Sequence, residues 1–258
     1  MFLTSMNAPP PLVSVVTVCL NSARSIERTI ESVRNQDHPA VEYIVVDGGS
    51  TDGTLEILEH HRDRVDALVS EKDRGISDAF NKGIRLSTGR YVQFLNADDA
   101  LGPGQLSSAM ELLERHPEAG FAFGDVVKVD PRTGRTITMK GDQGYDRYIR
   151  YVMKGLNHPT ILARRELFQR YGQFDERWRV AMDYDWLLRI HKAGVRGIYS
   201  ADIVATMFGG GISDARAFDA FREVRDISMQ YGCSRPFAQT YYAARCLKQR
   251  LYVALGKR

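Results

Sequence analysis

Nowhere does the chain hold an apolar run approaching the ~20 residues a bilayer-spanning helix needs, so a membrane-embedded architecture is not expected. Cysteine is scarce: Cys19, Cys233 and Cys246 are the only three in 258 residues. An odd number without metal-ligand spacing argues against a disulfide framework or a thiolate zinc site, and points to reduced thiols in a cytosolic protein. The opening MFLTSMNAPPPL has neither a basic start nor a long enough apolar centre to read as a signal peptide, and its prolines imply a loose, disordered arm over residues 1–12. Acidic residues are missing from the tail. None follows Asp226, whereas Arg235, Arg245, Lys248, Arg250, Lys257 and Arg258 lie beyond it; with a net charge of +3 overall, the preceding body is net negative. That balance, with no aromatic-studded basic stripe in the body, argues against a nucleic-acid binder. Internal repeats and low-complexity tracts are also absent.

What the first half does have is a regular alternation of strand and helix. The β-branched run from Val13 to Val18 predicts a buried strand. A polar loop, Asn21 to Ser25, leads into a helix that puts Ile26, Ile30 and Val33 on one face. VEYIVV, residues 41–46, is a second buried strand, broken by DGGSTDGT before a short helix with Leu55 and Leu58. ALVS, residues 67–70, is a third. From Ile76 the apolar positions 76, 79, 80, 83 and 84 keep helical spacing, STG ends that helix, and a fourth strand opens at Tyr91. Such alternation builds right-handed βαβ units, so the expected fold class is α/β, with a Rossmann-like, mainly parallel sheet flanked by helices. Ligands of these sheets bind beyond the carboxyl ends of the strands. Three polar segments fall there, at residues 19–25, 47–54 and 96–99, and are expected to converge on one site. The second half is more mixed: a helix with Leu106, Met110 and Leu113, a hairpin turning at Asp130 to Arg135, and a helix YDWLLRIHKAG with Asp183 near its start.

RYVQFLNADDALG, residues 90–102, poses the chemical question. Its apolar run stops abruptly at Asn96, Ala97, Asp98 and Asp99. Adjacent carboxylates at a strand end repel each other unless a cation lies between them. With no His or Cys beside them, an oxygen-ligated Mg2+ or Mn2+ shared with substrate phosphates fits, although Asn96 and Asp98 could equally cap the next helix. In VVDGGSTDGT the glycines admit close backbone approach, and Asp47 could accept a hydrogen bond from a base or ribose. The segment is not the G-x-G-x-x-G fingerprint and could be a plain turn. In SEKDRGISDAFNKGI, Arg74 or Lys82 could meet phosphate oxygens and Asp73 or Asp78 could fix a ribose or orient those cations; a solvated helix face is the alternative. Asp183 could serve as a general base if it faces the site, an N-cap being the other reading, with Asp185 the second candidate.

Taken in order, VSVVTVCLN, VVDGGSTDGT, SEKDRGISDAFNKGI, GRYVQFLNADD and GQFDERWRVAMDYDWLLR resemble family-2 glycosyltransferases of the GT-A fold, in particular bacterial enzymes that build lipopolysaccharide, capsule or exopolysaccharide. The resemblance runs from Val13 to Ser213. It implies a GT-A domain over 13–213, with a nucleotide-sugar-binding half (13–100) and an acceptor half (101–213), followed by a basic helical tail (214–258). It also implies that Asp47 contacts the nucleotide base and that Thr17, Cys19 and Asn21 line the nucleoside. The family's D-x-D motif falls on Asn96, Ala97 and Asp98, followed by Asp99. Its first position is Asn here, so metal coordination rests on Asp98 and Asp99. The family's base is the Asp of a Glu-Asp pair; Met182 and Asp183 occupy that pair, the Glu is missing, and Asp183 inherits the role. His158, in LNHPT, stands where the family places acceptor-side residues and could touch the acceptor or the diphosphate, or cap a turn. MFGGGIS, with Gly209 and Ser213, resembles the family's loop that closes over the diphosphate.

The reaction so implied is one inverting displacement. Asp183 takes the proton of an acceptor hydroxyl, which attacks the anomeric carbon of a nucleotide sugar (a UDP-sugar by resemblance), while Mg2+ or Mn2+ neutralises the departing diphosphate. In the tail, Phe237, Tyr241, Ala244, Leu251 and Leu255 fall near one helical face with Arg245, Lys248 and Arg250 around it. That pattern reads as a helix lying on a membrane surface, suited to a glycan or lipid-diphosphate-linked acceptor; packing on the body or on a homodimer partner is the alternative. The expected location is cytoplasmic, peripheral on the inner face of the membrane. With no spanning helix, one sugar per encounter is expected rather than processive synthesis. Two rival readings stand beside this one: a nucleotide-sugar-binding protein of weak catalysis, kept open by Asn96 and Met182, and a sugar-phosphate nucleotidyltransferase, for which TVCLNSARS is a poor phosphate loop.

Overall fold

The computed structural model describes residues 12–210 and 216–254. The arm expected at 1–12, apart from Leu12, lies outside the described residues, as do Ser213 and Leu255. Strand β1 (Val13–Cys19) is buried along its whole length, between β2 (Val41–Asp47) and β4 (Tyr91–Asn96) and parallel to both. β3 (Ala67–Ser70) adds in parallel outside β2. A central parallel strand has both faces covered, which is why VSVVTVC is almost wholly apolar. The pleat then divides the core. Val16, Val18, Ile44 and Val46 pack with Ala79, Phe80 and Ile84 of α3 (Ile76–Leu86), whereas Val13, Val15, Tyr43 and Val45 pack with Ile26, Ile30 and Val33 of α1 (Ile26–Arg34) and Leu58 of α2 (Thr54–His60).

The chain continues through β5 (Asp99–Leu101), α4 (Gln105–Arg115), β6 (Phe121–Val129), β7 (Thr136–Met139), β8 (Leu162–Arg164), α5 (Glu166–Tyr171), α6 (Met182–Lys192), β9 (Gly197–Phe208), α7 (Ala217–Gln230) and α8 (Arg235–Ala254). All these strands join one sheet, in the order β3-β2-β1-β4-β8-β6-β9-β5, with β7 on the side of β6. The parallel character expected from the first half holds for β3-β2-β1-β4 and recurs between β6 and β9. β8 runs antiparallel to β4 and β6, and β5 antiparallel to β9, so the sheet as a whole is mixed. The expected hairpin is β6–β7, closed by the Asp130 N–H on the Arg135 carbonyl at 2.9 Å. After Asn96 the acidic pair does not cap a helix. Asp99 instead opens β5, a three-residue strand too short to leave a periodic trace, which β9 holds through Asp99 opposite Met207.

Aromatic packing secures the second half. Phe168 of α5 stacks on Trp186 of α6 with ring centroids 4.2 Å apart, and Phe80, Phe94 and Phe174 close around them. Helix α8 divides in two. Its first turns pack Phe237 and Tyr241 on Tyr151, bury Ala238 and set the Arg245 guanidinium 4.0 Å over the Phe221 ring of α7. Its later turns leave Leu247, Leu251, Tyr252 and Val253 exposed. Among the described residues no helix is long and apolar enough to cross a membrane.

Candidate active site

Where β1 and β4 end, a cleft of about 700 Å3 opens, lined by Cys19 to Ser22, by Asp73, Gly75 and Ile76 at the head of α3, and by Asn96 to Asp99. The second half of the chain contributes Lys128, Arg179, Met207, Phe208 and Gly210 to the same walls. The loop after β1 is zipped to the loop after β2. The Asn21 N–H donates to Ser50 Oγ at 2.8 Å, the Thr51 N–H to Asn21 Oδ1 at 2.9 Å, and the Ser22 N–H to Thr54 Oγ1 at 2.7 Å. Asn21 takes a left-handed φ of 52°, which Asn tolerates better than most side chains.

Asp47 shapes that junction from below. Its buried carboxylate accepts the Gly49 and Ser50 N–H groups at 3.2 and 3.1 Å, the Ser70 hydroxyl at 2.7 Å and the Ser50 hydroxyl. Burial pushes its pKa up, but these hydrogen bonds together outweigh burial and hold the carboxyl below the usual range. Cys19 donates to Asp47 Oδ1 at 3.6 Å; burial first, and the Asp47 charge second, push the thiol up and keep it neutral. Thr17 is fully buried and its hydroxyl accepts from the Tyr43 hydroxyl at 3.2 Å. Of the nucleoside-side residues expected from the sequence, Cys19 and Asn21 reach the cleft wall, whereas Thr17 and Asp47 stand behind it as supports.

The charged set ahead of α3 separates in the same way. Asp73 lines the cleft and caps the Gly75 N–H at 2.8 Å, where Gly75 has φ 126°, a conformation that asks for glycine. Asp78 is buried and gathers Arg74 at 3.1 Å and Lys82 at 3.6 Å; Lys82 also meets Glu71 at 2.8 Å. Arg74, Asp78 and Lys82 therefore form an ion cluster beside the cleft rather than in its wall.

The acidic centre is the chemical focus. Asn96 Nδ2 donates to Asp99 Oδ2 at 3.2 Å, and the buried Asn96 Oδ1 has no partner. Asp99 is 2% exposed; burial, then the neighbouring Asp98, raise its pKa to about 8, against the opposing pull of Asn96, Arg28 and Lys128. Arg28 lies 3.5 Å over the Phe208 ring and donates to the Asp98 carbonyl at 3.3 Å, while Thr29 Oγ1 donates to the Asp99 carbonyl at 2.7 Å. A buried Asp99 and a half-buried Asp98, mutually repelling beside an orphaned amide oxygen, make a hard oxygen set that fits Mg2+ or Mn2+. Among the described residues no cluster of three His, Cys, Asp or Glu side chains could hold the ion alone, so phosphate or water oxygens would complete its shell. Arg24, Lys128, Arg179 and Arg216 stand around the cleft and carry charge complementary to a diphosphate. Sequence reading missed all four, together with Arg28, since an isolated basic residue leaves no local signal.

On the far side, Asp183 is the second residue of α6, half-buried, with its Oδ1 accepting the Tyr184 N–H at 2.7 Å. It does not line the cleft itself but follows Arg179 and Val180, which do. Burial raises its pKa and His158 pulls the other way; burial lowers His158 and Asp183 opposes that shift. The two face each other electrostatically, and the buried His158 Nε2 lacks a partner. Asp185 is buried against Arg189, which in turn donates to the Tyr171 and Gln173 carbonyls at 3.0 and 2.9 Å, so this acid anchors α6. The Gly209 N–H donates to the Val129 carbonyl at 2.9 Å, Gly210 reaches the cleft, and Ser213 lies outside the described residues.

An open α/β sheet with carboxylates and cations gathered at its strand ends has the layout of a ligand-binding α/β protein. Residues 14–172 match the profile of Glycosyl transferase family 2, and the chain belongs to that family. It is 30% identical over 183 residues, 69% of either chain, to a PGL/p-HBAD biosynthesis glycosyltransferase of Mycobacterium bovis. Among solved structures it resembles the mannosyltransferase PcManGT of Pyrobaculum calidifontis, in complex with GDP-Man and Mn2+, with TM-score 0.68, 23% identity, and coverage of 95% of this chain and 74% of that one. It also resembles S. aureus TarS 1-349 in complex with UDP-GlcNAc, with TM-score 0.63, 19% identity, and coverage of 91% and 71%. Of another TarS crystal structure it spans 43%. These likenesses place the fold in the GT-A class. The family match ends before α6, so Asp183 lies beyond it.

Proposed function

We propose that this glycosyltransferase moves one sugar, with inversion, from a nucleotide-diphosphate sugar to a hydroxyl of a glycan or lipid-linked acceptor in bacterial cell-surface polysaccharide synthesis. The observation that carries the reading is the Asn96–Asp98–Asp99 cluster, with its unpartnered amide oxygen, at the wall of a cleft ringed by Arg24, Lys128, Arg179 and Arg216. The relatives' names support the setting, and a UDP-sugar is the favoured donor because TarS was crystallised with UDP-GlcNAc.

In this reading Cys19, Asn21 and Asp73 face the nucleoside, with Asp47 and Thr17 holding the loops that carry them. Asp78 orients Arg74 and Lys82 at the side of the cleft. Asp98, Asp99 and Asn96 Oδ1 would hold Mn2+ or Mg2+, which supplies charge neutralisation to the departing diphosphate. The surrounding arginines and Lys128 bind and orient the phosphates, with Gly210 at the cleft wall beside them. Asp183 takes the acceptor's proton. Its raised pKa makes it a better base than an ordinary carboxylate, and His158 stands beside it toward the acceptor. The exposed turns of α8 meet the anionic inner face of the membrane from the cytoplasmic side.

Calorimetric binding of UDP, GDP, CDP and dTDP, each with and without Mn2+, tests this directly. Metal-assisted binding of one diphosphate, UDP by expectation, is the predicted result. Failure of every diphosphate to bind would remove the donor site and the reading with it.

A further inference from the structure

The stretch from Phe174 to Ala181 brings Arg179 to the cleft wall and delivers Asp183 at the head of α6. One side of it is strapped to α3. Asn81 exchanges two hydrogen bonds with the Phe174 backbone, each of 2.9 Å, and Ser77 Oγ donates to the Trp178 carbonyl at 2.7 Å. Arg179 itself donates through Nη1 to the Arg74 carbonyl at 2.9 Å. The other side is held by one residue from the C-terminal helices. The Glu223 carboxylate, on α7, accepts three consecutive backbone N–H groups, from Arg179 at 3.0 Å, Val180 at 2.9 Å and Ala181 at 2.8 Å.

Glu223 is 8% exposed, and among the described residues no lysine or arginine forms an ion pair with it. A carboxylate is costly to bury, so packing α7 on α6 would be served better by an apolar residue. What the carboxylate adds is directional: successive N–H groups can converge on one anion only in a particular backbone conformation. The neighbouring N-terminus of α6 favours negative charge as well. We propose that Glu223 is a positioning residue for glycosyl transfer, holding residues 179–181 so that Arg179 stays in the cleft wall and α6 presents Asp183 to the acceptor. This rests on the reading of Asp183 as the base. It makes α7, which lies outside the family match, a working part of the site rather than an appendage.

Glu223→Gln keeps the size and one acceptor oxygen but loses the charge; Glu223→Ala loses both. In the full-length protein kcat should fall about tenfold in the first and about a hundredfold in the second, the scale expected for misplacing a reacting group by an ångström. Donor KM should rise by no more than about threefold, since Arg179 keeps its bond to the Arg74 carbonyl and Arg24, Lys128 and Arg216 remain around the cleft, so the larger loss falls on the presentation of Asp183. Amide exchange in residues 179–181 should accelerate in both variants, while the melting temperature of Glu223→Gln stays close to wild type. Wild-type kcat in both variants, or a loss that merely follows the folded fraction, would overturn the inference. If the wild-type protein transfers no sugar at all, the functional reading fails separately. Amide protection still decides the positioning role in that case, and unchanged protection in Glu223→Gln rejects it.

Discussion

Asp183 carries two opposed demands. Burial raises its pKa above the ordinary 3.8, so the folded protein binds its proton more tightly than the unfolded chain does. A carboxyl shifted in that direction contributes stability that is complete below the unfolded pKa and is lost as pH rises through the folded one. Above the folded pKa that contribution is gone. Asp183→Asn, a permanent mimic of the neutral acid, should therefore gain in melting temperature over wild type as pH rises above the unfolded value, with the difference vanishing below about pH 4. The same substitution should abolish transfer by about a thousandfold or more while nucleotide binding is retained, as expected when a general base is removed. Thermal melts across pH, set beside single-turnover rates, check both halves. A variant whose melting temperature does not gain on wild type with rising pH would contradict the burial argument.

At the scale of elements, α3 is the lever for the donor side. Its first turn supplies Gly75 and Ile76 to the cleft, and its second fixes the Phe174 strap through Asn81. The helix lies close on β1 because Gly83 has no side chain: a Cβ there would run into the Val16 side chain. Gly83→Ala gains about 1 kcal/mol of helix propensity but overpacks this contact at a cost of about 1–3 kcal/mol. The net expectation is a lower urea midpoint with an unchanged m-value, together with weaker nucleotide binding as the head of α3 is pushed from the strand ends. An unchanged midpoint would show that α3 slides freely on β1.

At the scale of the molecule, the C-terminal helices join the site to a basic surface. Glu223 of α7 reaches the α6 entry, α8 packs on α7 and Tyr151, and the last described turns present Leu251, Tyr252 and Val253 beside Lys248 and Arg250. Apolar side chains interleaved with cations suit an anionic bilayer surface. Reversing both charges, Lys248→Glu with Arg250→Glu, should weaken sedimentation with phosphatidylglycerol vesicles by about tenfold or more, on the order of 1 kcal/mol per basic residue lost. Nucleotide binding should be unaltered. Equal sedimentation of the variant and wild type would leave α8 as a packing element.

Sequence periodicity carried much of the framework, for a physical reason. β1, β2 and α3 are long and buried, so their apolar residues must recur at two or 3.6 positions whatever the remainder of the chain does. The acidic centre was legible too, since adjacent carboxylates ending an apolar strand are locally unfavourable and need a reason. β5 and β8 were not, because three residues cannot display a period and exist as strands only through β9 or through β4 and β6. Charges were the least legible feature. Asp78 and Lys82 have the same helical spacing whether they face a ligand, solvent or each other, and packing set them against each other. Arg24, Lys128, Arg179 and Arg216 are scattered along the chain and meet only around the folded cleft. Glu223 acts on a segment more than forty residues before it, through N–H groups that exist as a converging set only once α6 and α7 have packed. Local sequence thus determined the strands, helices and the one costly acidic pair; which charges bind, which support and which merely neutralise one another was left to the tertiary structure, because electrostatic partnership depends on distance in space and leaves no mark on order in the chain.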